Sequence, residues 1–216
     1  FKNKSAWIRQ GLLLLALFEF FIVYRTATRG AMLGFLSGIG IFSLINLLWN
    51  SGKAKRWAMV FLAVTIMIPV LFLALKNTQF IKQNEVLSRF ASISLSETTT
   101  QSRFIIWGMA FDAWKDRPIL GWGPESFVYV FSKYFDSQLW RQEPWFDRAH
   151  NVFLDWLTSA GAVGLLAYLA LFASGFLVLH KLFKKGKVNV LTLGLFSGVL
   201  TAYLVHNIFV FDNFTS

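Results

Sequence analysis

Four basic side chains in this sequence occur where they could bind an anion or move a proton. Arg25 and Arg29 lie in the segment YRTATRGA, a turn of a few residues between two apolar stretches. Arg103 starts an aromatic-rich segment, and His150 follows a polar run. A guanidinium can bind phosphate oxygens two at a time, whereas an imidazole titrates near neutral pH. These residue types predict an anion site and a general base.

Each of these residues also has a structural interpretation. Arg25 and Arg29 can extend toward lipid headgroups or pair with Glu19. Arg103 can be a surface residue, although a cation at a helix N-terminus is mildly unfavourable unless something negative is bound. A single histidine such as His150 is more often structural than catalytic.

His150 has two carboxylates nearby in the sequence, Asp147 and Asp155, and either can orient its imidazole. His206 repeats the local pattern, since HNIF there corresponds to HNVF at His150. We interpret the repeat as chance or packing. The alternative is that His206 lines the same cavity as His150.

The composition is that of a membrane protein. The chain has 216 residues, of which 56% are apolar and 18% aromatic, and its mean hydropathy is positive. A soluble domain is rarely so apolar. The sequence has no cysteine and three histidines, so we predict neither a thiolate nor a zinc site, and no metal or cofactor.

Five apolar stretches approach the roughly 20 helical residues that cross a bilayer core of about 30 Å. The first is the shortest, and we expect its helix to extend back past Arg9 to Trp7. The five stretches are residues 11–24, 31–49, 57–75, 162–183 and 190–211. The predicted fold class is all-α, a polytopic transmembrane helical bundle of about five spans with a large external loop of amphipathic helices.

Three basic clusters lie in the segments that alternate spans would place on one side of the membrane. They are Lys2, Lys4 and Arg9; Lys53, Lys55 and Arg56; and Lys181, Lys184, Lys185 and Lys187. Short basic loops stay in the cytoplasm, so residues 76–150, with nine Lys or Arg and eight Asp or Glu, belong outside. The net charge of +10 is therefore topogenic, and we expect no nucleic-acid partner.

This topology divides the chain into three parts. Residues 1–75 are predicted to form three membrane helices, residues 76–161 the large external loop, and residues 162–216 two further membrane helices. Small residues recur every fourth position in two spans, at Gly30, Gly34 and Gly38 and at Gly194 and Gly198. This spacing lets helix backbones approach closely in lipid, and it predicts packing rather than chemistry.

The external loop contains three predicted amphipathic helices. The first begins near Arg103 after the hydroxyl-rich residues 98–102, and Pro118 ends it. Its aromatic residues recur at three- and four-residue steps and are Phe104, Trp107, Phe111 and Trp114.

The second helix covers about residues 124–134. The third begins at His150 and is separated from the next span by Gly161. Helices of this kind often lie in the membrane interface. Paired carboxylates, Asp112 with Asp116 or Glu125 with Glu143, would suit a hydrolase, but no spacing singles out either pair.

Three sequence motifs in this order resemble the O-antigen ligase and polymerase superfamily of bacterial membrane glycosyltransferases. The motifs are TRGAMLG, SRFIIWGMAFDAWKDRPILGWGPESF and AHNVFLDWLTSAGAVGLLAYLALF. The resemblance implies a GT-C-like helical enzyme with more spans than the five seen here. Because the chain also begins at Phe1 and has no signal-peptide pattern, we expect it to be a fragment.

The resemblance also implies the reaction and the residues. Such enzymes transfer a glycan from an undecaprenyl-pyrophosphate carrier to a hydroxyl of a lipid or glycan acceptor, on the outer face of the bacterial cytoplasmic membrane, without metal or nucleotide. Arg29 and Arg103 match arginines thought to hold the pyrophosphate, and His150 matches a histidine thought to act on the acceptor. As further substrate contacts we predict Arg25, Trp107, Trp122 and Asn151, the tryptophans by stacking on sugars or lipid, although packing is the alternative for these rings.

Other functions fit part of the pattern. An O-antigen or exopolysaccharide polymerase and a protein O-oligosaccharyltransferase would use the same donor and the same leaving group. A small-anion transporter would place polar residues near the bilayer midplane and show internal repeats, which this sequence lacks. A non-catalytic envelope assembly protein would use the loop only to dock partners.

Overall fold

The computed structural model describes residues 6–26, 28–92, 98–141 and 145–210. Within these ranges the chain is helical and contains no strand. The described helices are α1 (Ala6–Thr26), α2 (Arg29–Trp49), α3 (Gly52–Leu75), α4 (Gln79–Gln83), α5 (Glu85–Ala91), α6 (Thr98–Asp116), α7 (Phe127–Lys133), a 3-10 helix (Ser137–Arg141), α8 (Val152–Lys184) and α9 (Val190–His206).

Four of the described helices, α1, α2, α3 and α8, are long and apolar enough to cross a membrane. This confirms the predicted multi-pass helical bundle. Helix α1 reaches back past Arg9, as expected. Helix α9 is apolar but has 17 residues, which is shorter than the predicted stretch 190–211. It ends at His206, and residues 207–210 form turns whose backbone bonds to other helices.

Helices α2 and α9 pack antiparallel through small residues. A Cβ atom at Gly34 would lie 2.6 Å from the carbonyl oxygen of Ala202, and one at Gly38 would lie 2.8 Å from that of Gly198. The two backbones are therefore in direct contact, so any side chain at these positions would force them apart. The predicted role of the glycine repeats in helix packing is confirmed.

The two basic clusters in the described part of the chain lie at one end of the bundle. The ring of Trp49, at the end of α2, meets the ring of Phe183, near the end of α8, edge-on with 6.2 Å between centroids. The α2–α3 and α8–α9 connections therefore share this end, as the charge pattern predicts. The first residues of α2 and the last residues of α9 lie at the opposite end.

Helix α8 is interrupted at Gly161, where φ is 65° and ψ is −163°. Essentially only glycine adopts this conformation. Residues 118–123, which we call the 118–123 loop, supply the backbone hydrogen bonds that the interruption removes. The bonds are Trp122 N–H to Thr158 O (2.9 Å), Gly123 N–H to Ser159 O (2.8 Å), Ala162 N–H to Pro118 O (2.8 Å) and Val163 N–H to Ile119 O (3.3 Å). Gly161 thus separates two helical segments of α8, as predicted for the third amphipathic helix and the span that follows it.

The external segment has its own apolar core, built by α6, α7, the 3-10 helix and residues 146–149. Its buried members are Ile106, Met109, Ala110, Ala113, Phe127, Val130, Phe131, Leu139, Phe146 and Ala149. The aromatic stripe predicted from the sequence is not the buried face of α6, because Phe104 and Phe111 are exposed. The aliphatic and alanine side chains of the opposite face let α7 approach more closely than bulky rings would.

The starts of α6 and α7 differ from the sequence prediction. Helix α6 begins at Thr98, and the Ser102 hydroxyl donates to the Thr98 carbonyl at 2.8 Å, so the hydroxyl-rich residues lie inside the helix instead of capping it. Helix α7 begins at Phe127 rather than 124, because Glu125 has a left-handed backbone with φ of 57° that no α-helix accommodates.

Candidate active site at one end of the bundle

Arg29 and Arg103 both lie at the end of the bundle away from the two basic clusters. Arg29 is the first residue of α2, and its Nη2 donates to the carbonyl of Arg89 at 3.0 Å and to the Ser92 hydroxyl at 3.2 Å. Arg103 lies in the second turn of α6, and its Nη1 donates to the carbonyl of Phe209 at 2.9 Å. Each guanidinium thus joins two segments of the chain.

The two guanidiniums also interact with each other. Burial, and after it the positive charge of Arg29, lower the pKa of Arg103 below its ordinary value. An arginine side chain remains protonated at neutral pH even so. Gly30, the residue after Arg29, packs against the side chain of Phe209, whose carbonyl Arg103 binds, so two cations that lie far apart in the sequence approach the same turn.

The backbone next to His150 is held in place by side chains of α6 and α8. The φ of His150 is 53°, in the left-handed region, and its half-buried ring meets the ring of Phe146 edge-on at 5.8 Å. Both backbone groups of the preceding residue, Ala149, form hydrogen bonds with side chains. Its N–H donates to Oδ1 of Asp155 at 2.7 Å, and its carbonyl accepts from Nε1 of Trp107 at 3.0 Å.

Asn151 fixes the other side of His150 by capping α8. Its side-chain oxygen accepts the N–H groups of Phe153 at 3.0 Å and Leu154 at 3.3 Å, which is the usual role of an N-cap residue. Helix α8 therefore begins at Val152, two residues later than predicted, and His150 lies just outside it. Asp155, one of the two predicted orienting carboxylates, acts on the backbone of Ala149.

The turn after α9 connects the elements that carry Arg103 and His150. The carbonyl of Asn207 accepts the N–H of Val152 at 2.9 Å, and the carbonyl of Phe209 accepts the Arg103 guanidinium. Asn207 is fully buried, and its Nδ2 donates to the Tyr168 hydroxyl at 2.7 Å. One short turn thus contacts α6, the start of α8 and the middle of α8.

His206, which ends α9, lies beside the start of α2. A Cβ atom at Gly30 would be 3.4 Å from His206 Nδ1. Among the described residues this buried nitrogen has no hydrogen-bond partner, and neither does Oδ1 of Asn207. Contact with Gly30 fits the interpretation of His206 as a packing residue. Its Nδ1 nevertheless places a polar atom next to Arg29. The repeated HN pair is the sequence signal that points to it.

The segment that holds these residues matches a known family. A family model described as O-antigen ligase covers residues 12–169, which is most of the chain and includes Arg29, Arg103 and His150. The chain belongs to the O-antigen ligase family. It is thus a multi-pass membrane protein of a glycosyltransferase family whose substrates are lipid-linked glycans. No curated protein and no solved structure matches the chain significantly.

The remaining predicted substrate contacts of this O-antigen ligase family member lie in three different environments. Arg25 is exposed in the last turn of α1. Trp122 is packed, since its Nε1 donates to the carbonyl of Ala113 at 2.7 Å and the Arg117 guanidinium lies 4.4 Å from the centre of its ring. Trp107 binds Ala149, as described above. Stacking of either tryptophan on a sugar remains a prediction.

Three of the carboxylates considered as hydrolase pairs are bound to cations rather than to each other. The pairs are Asp112 with Lys115 at 2.8 Å, Asp116 with Lys133, and Glu125 with Arg148 at 2.6 Å. Glu143 lies outside the described residues. In the described part of the chain no three histidine or acidic side chains converge as metal ligands would.

Proposed function

We propose that this member of the O-antigen ligase family transfers a glycan from an undecaprenyl-pyrophosphate carrier to an acceptor hydroxyl. The observation that carries the proposal is that Arg29 and Arg103 approach the same turn: Arg103 donates to the Phe209 carbonyl, and Gly30, next to Arg29, packs against the Phe209 side chain. Burial, and after it the charge of Arg29, lower the pKa of Arg103. Two neighbouring cations repel each other, and an anion bound between them removes that cost. A pyrophosphate carries enough charge and enough oxygens to engage both guanidiniums.

In the proposed reaction an oxygen of the acceptor attacks the anomeric carbon of the donor sugar. The bond from that carbon to the pyrophosphate oxygen breaks, and undecaprenyl pyrophosphate leaves with the electron pair. The guanidiniums of Arg29 and Arg103 stabilise the charge that develops on the leaving oxygen. His150 takes the proton of the acceptor hydroxyl as general base.

The two arginines take the role that a divalent cation has in many phosphate-binding sites. A guanidinium offers several donors in a fixed plane, and burial strengthens its interaction with an anion. We therefore propose that transfer is independent of metal. His206 Nδ1 and Asn207 Oδ1 are polar atoms without partners in the described part of the chain, and they add hydrogen-bonding capacity for the donor headgroup.

The orientation in the membrane follows from the charges. The basic clusters from Lys53 to Arg56 and from Lys181 to Lys187 share one end of the bundle, and the positive-inside rule assigns that end to the cytoplasm. The arginine pair then faces the outer side of the cytoplasmic membrane, where we propose that lipid-linked glycans are used in cell-surface polysaccharide synthesis.

Glycan transfer by the full-length protein in membranes tests this function. The donor is a defined undecaprenyl-pyrophosphate oligosaccharide, a chelator is present, and Arg103→Ala and His150→Ala are compared with Lys115→Ala, which removes an exposed cation of α6. We expect wild type and Lys115→Ala to transfer, and the other two variants to lose about 10²–10³ in rate. A single addition to the acceptor identifies a ligase, whereas a ladder of products identifies a polymerase. Full transfer by both variants contradicts the assigned roles.

A further inference from the structure

A cleft separate from the two arginines lies on the first part of α8, before the interruption at Gly161. Its volume is about 380 Å³, near the lower limit of the roughly 300–1,000 Å³ typical of small-molecule sites. That volume suits one sugar unit better than a lipid chain. The charged, aromatic and hydroxyl side chains that line it are Glu125, Arg148, Asp155, Trp156 and Ser159. The described lining includes neither the two site arginines nor His150.

The lining combines an aromatic ring with charged hydrogen-bonding groups. Trp156 is 37% exposed, and its indole is nearly parallel to the Tyr168 ring at 5.4 Å, so its position is fixed. Glu125 and Arg148 form an ion pair at 2.6 Å, in which the Glu125 side chain is 77% exposed. An aromatic surface accepts the apolar side of a pyranose, while a carboxylate and a guanidinium bind its hydroxyls through charge-assisted hydrogen bonds.

Two buried hydroxyls at the base of the cleft point to a polar ligand. Ser126 and Thr158, which are 6% and 2% exposed, line a small void that shares Glu125, Arg148 and Ser159 with the cleft. Neither hydroxyl has a hydrogen-bond partner among the described residues. Buried hydroxyls are normally satisfied, and the void of about 10 Å³ has room for about one water molecule. A ligand in the cleft that carries hydroxyls would complete this site through such a water.

The charge of the cleft distinguishes its ligand from the lipid-linked donor. Glu125 and Asp155 contribute two carboxylates, and Arg148 contributes one guanidinium, so a pyrophosphate is disfavoured there. The cleft is also next to the proposed base, because Arg148 and Val152 both line it and lie two residues on either side of His150. We propose that this cleft binds one sugar unit of the acceptor glycan. The inference rests on the proposed function and adds a location for the acceptor.

Steady-state transfer by the full-length protein in membranes tests the proposal. The variants are Glu125→Gln and Trp156→Ala, with Asp112→Asn as control because it removes an exposed carboxylate that lies outside the cleft and pairs with Lys115. We expect Glu125→Gln and Trp156→Ala to raise the acceptor KM about tenfold while the donor KM stays unchanged. An unchanged acceptor KM in both variants, or an equal rise in the donor KM, overturns the proposal.

A binding measurement separates this proposal from the transfer reaction. The probe is an oligosaccharide released from the surface glycan of the producing cells, added without donor, and saturation-transfer NMR reports its contact with the protein in nanodiscs. We expect a signal with wild type and Asp112→Asn that is lost with Glu125→Gln. If this holds while no transfer occurs, the cleft stands and the proposed function fails. If wild type transfers glycan but the probe gives no signal, or one that Glu125→Gln preserves, the cleft proposal fails alone.

Discussion

The indole N–H of Trp107 donates to the carbonyl of Ala149 at 3.0 Å, which joins helix α6 to the residue before His150. Arg103 lies one turn earlier on the same helix. A single helix therefore carries one of the two arginines that we propose bind the pyrophosphate, and also the contact that positions the proposed base. The relative placement of these two groups depends on this hydrogen bond.

Replacing Trp107 by Phe keeps an aromatic ring but removes the donor, leaving the buried Ala149 carbonyl without this partner. We expect a loss of about 1–2 kcal/mol in stability and a fall in kcat of about tenfold or more, since small displacements of a base are costly. Thermal unfolding and the transfer assay measure the two effects.

Trp114→Phe is the matched control, because Trp114 Nε1 donates to the Pro118 carbonyl at the same distance of 3.0 Å, away from His150. It should lower stability without a comparable fall in kcat. Equal losses of kcat in the two variants would show that the Trp107 contact acts only on stability.

Gly161 should tolerate no side chain. A Cβ atom there would collide with the Ile119 carbonyl, and φ is 65°, so Gly161→Ala should cost at least about 3 kcal/mol and release the 118–123 loop. Gly108→Ala is the control, since a Cβ there meets nothing within 4 Å and alanine favours the helix by about 0.5–1 kcal/mol. Protease cleavage of the loop in folded protein should increase for Gly161→Ala alone. Unchanged cleavage would contradict the role given to the loop.

Asp116 should make the stability of the external segment sensitive to acid, because it links the ends of α6 and α7. Hydrogen bonds from Lys133 and then Tyr134 lower the pKa of its carboxyl. The stabilisation is full above the ordinary carboxyl pKa of about 3.9 and is lost as the pH falls through the lowered pKa of the folded protein. Asp116→Asn should therefore unfold at a lower temperature than wild type at pH 7, and this difference should disappear on acidification. A difference that is constant with pH would exclude the carboxylate as its cause.

The side chain of His206 should affect the donor rather than the fold. Replacing it by Leu removes a buried nitrogen that has no partner in the described part of the chain, so stability should be unchanged or slightly higher. The donor KM should rise severalfold if that nitrogen contacts the headgroup. His180→Leu, at an exposed position near the other end of α8, is the control. A donor KM equal to that of wild type would return His206 to a packing role.

The sequence predicts those parts of this structure that depend on local patterns. Hydropathy predicts the spans, and the spacing of Gly34 and Gly38 predicts the contact between α2 and α9. The charged loops predict that the two described basic clusters share one end. The arginines that depart from this charge pattern are the basis for the proposed site, whose role stays a prediction.

Other features depend on contacts between distant segments, which local patterns do not contain. Both faces of α6 show helical periodicity, so the sequence could not tell that Ile106, rather than Phe104, is buried. The 118–123 loop fits the interruption at Gly161 because the N–H and C=O groups that α8 leaves unbonded there lie opposite matching backbone groups of the loop. The burial of His206 Nδ1 without a partner among the described residues likewise becomes visible only when α9 is packed against α2.

Binding of undecaprenyl pyrophosphate, without any sugar, tests the central claim most directly. It is measured with full-length wild type, Arg103→Ala and Lys115→Ala in nanodiscs, with chelator present and undecaprenyl monophosphate as the comparison ligand. If Arg29 and Arg103 hold the pyrophosphate, wild type and Lys115→Ala prefer the pyrophosphate, and Arg103→Ala loses about 10- to 100-fold in affinity for it. Equal affinity of wild type and Arg103→Ala for undecaprenyl pyrophosphate would contradict the account.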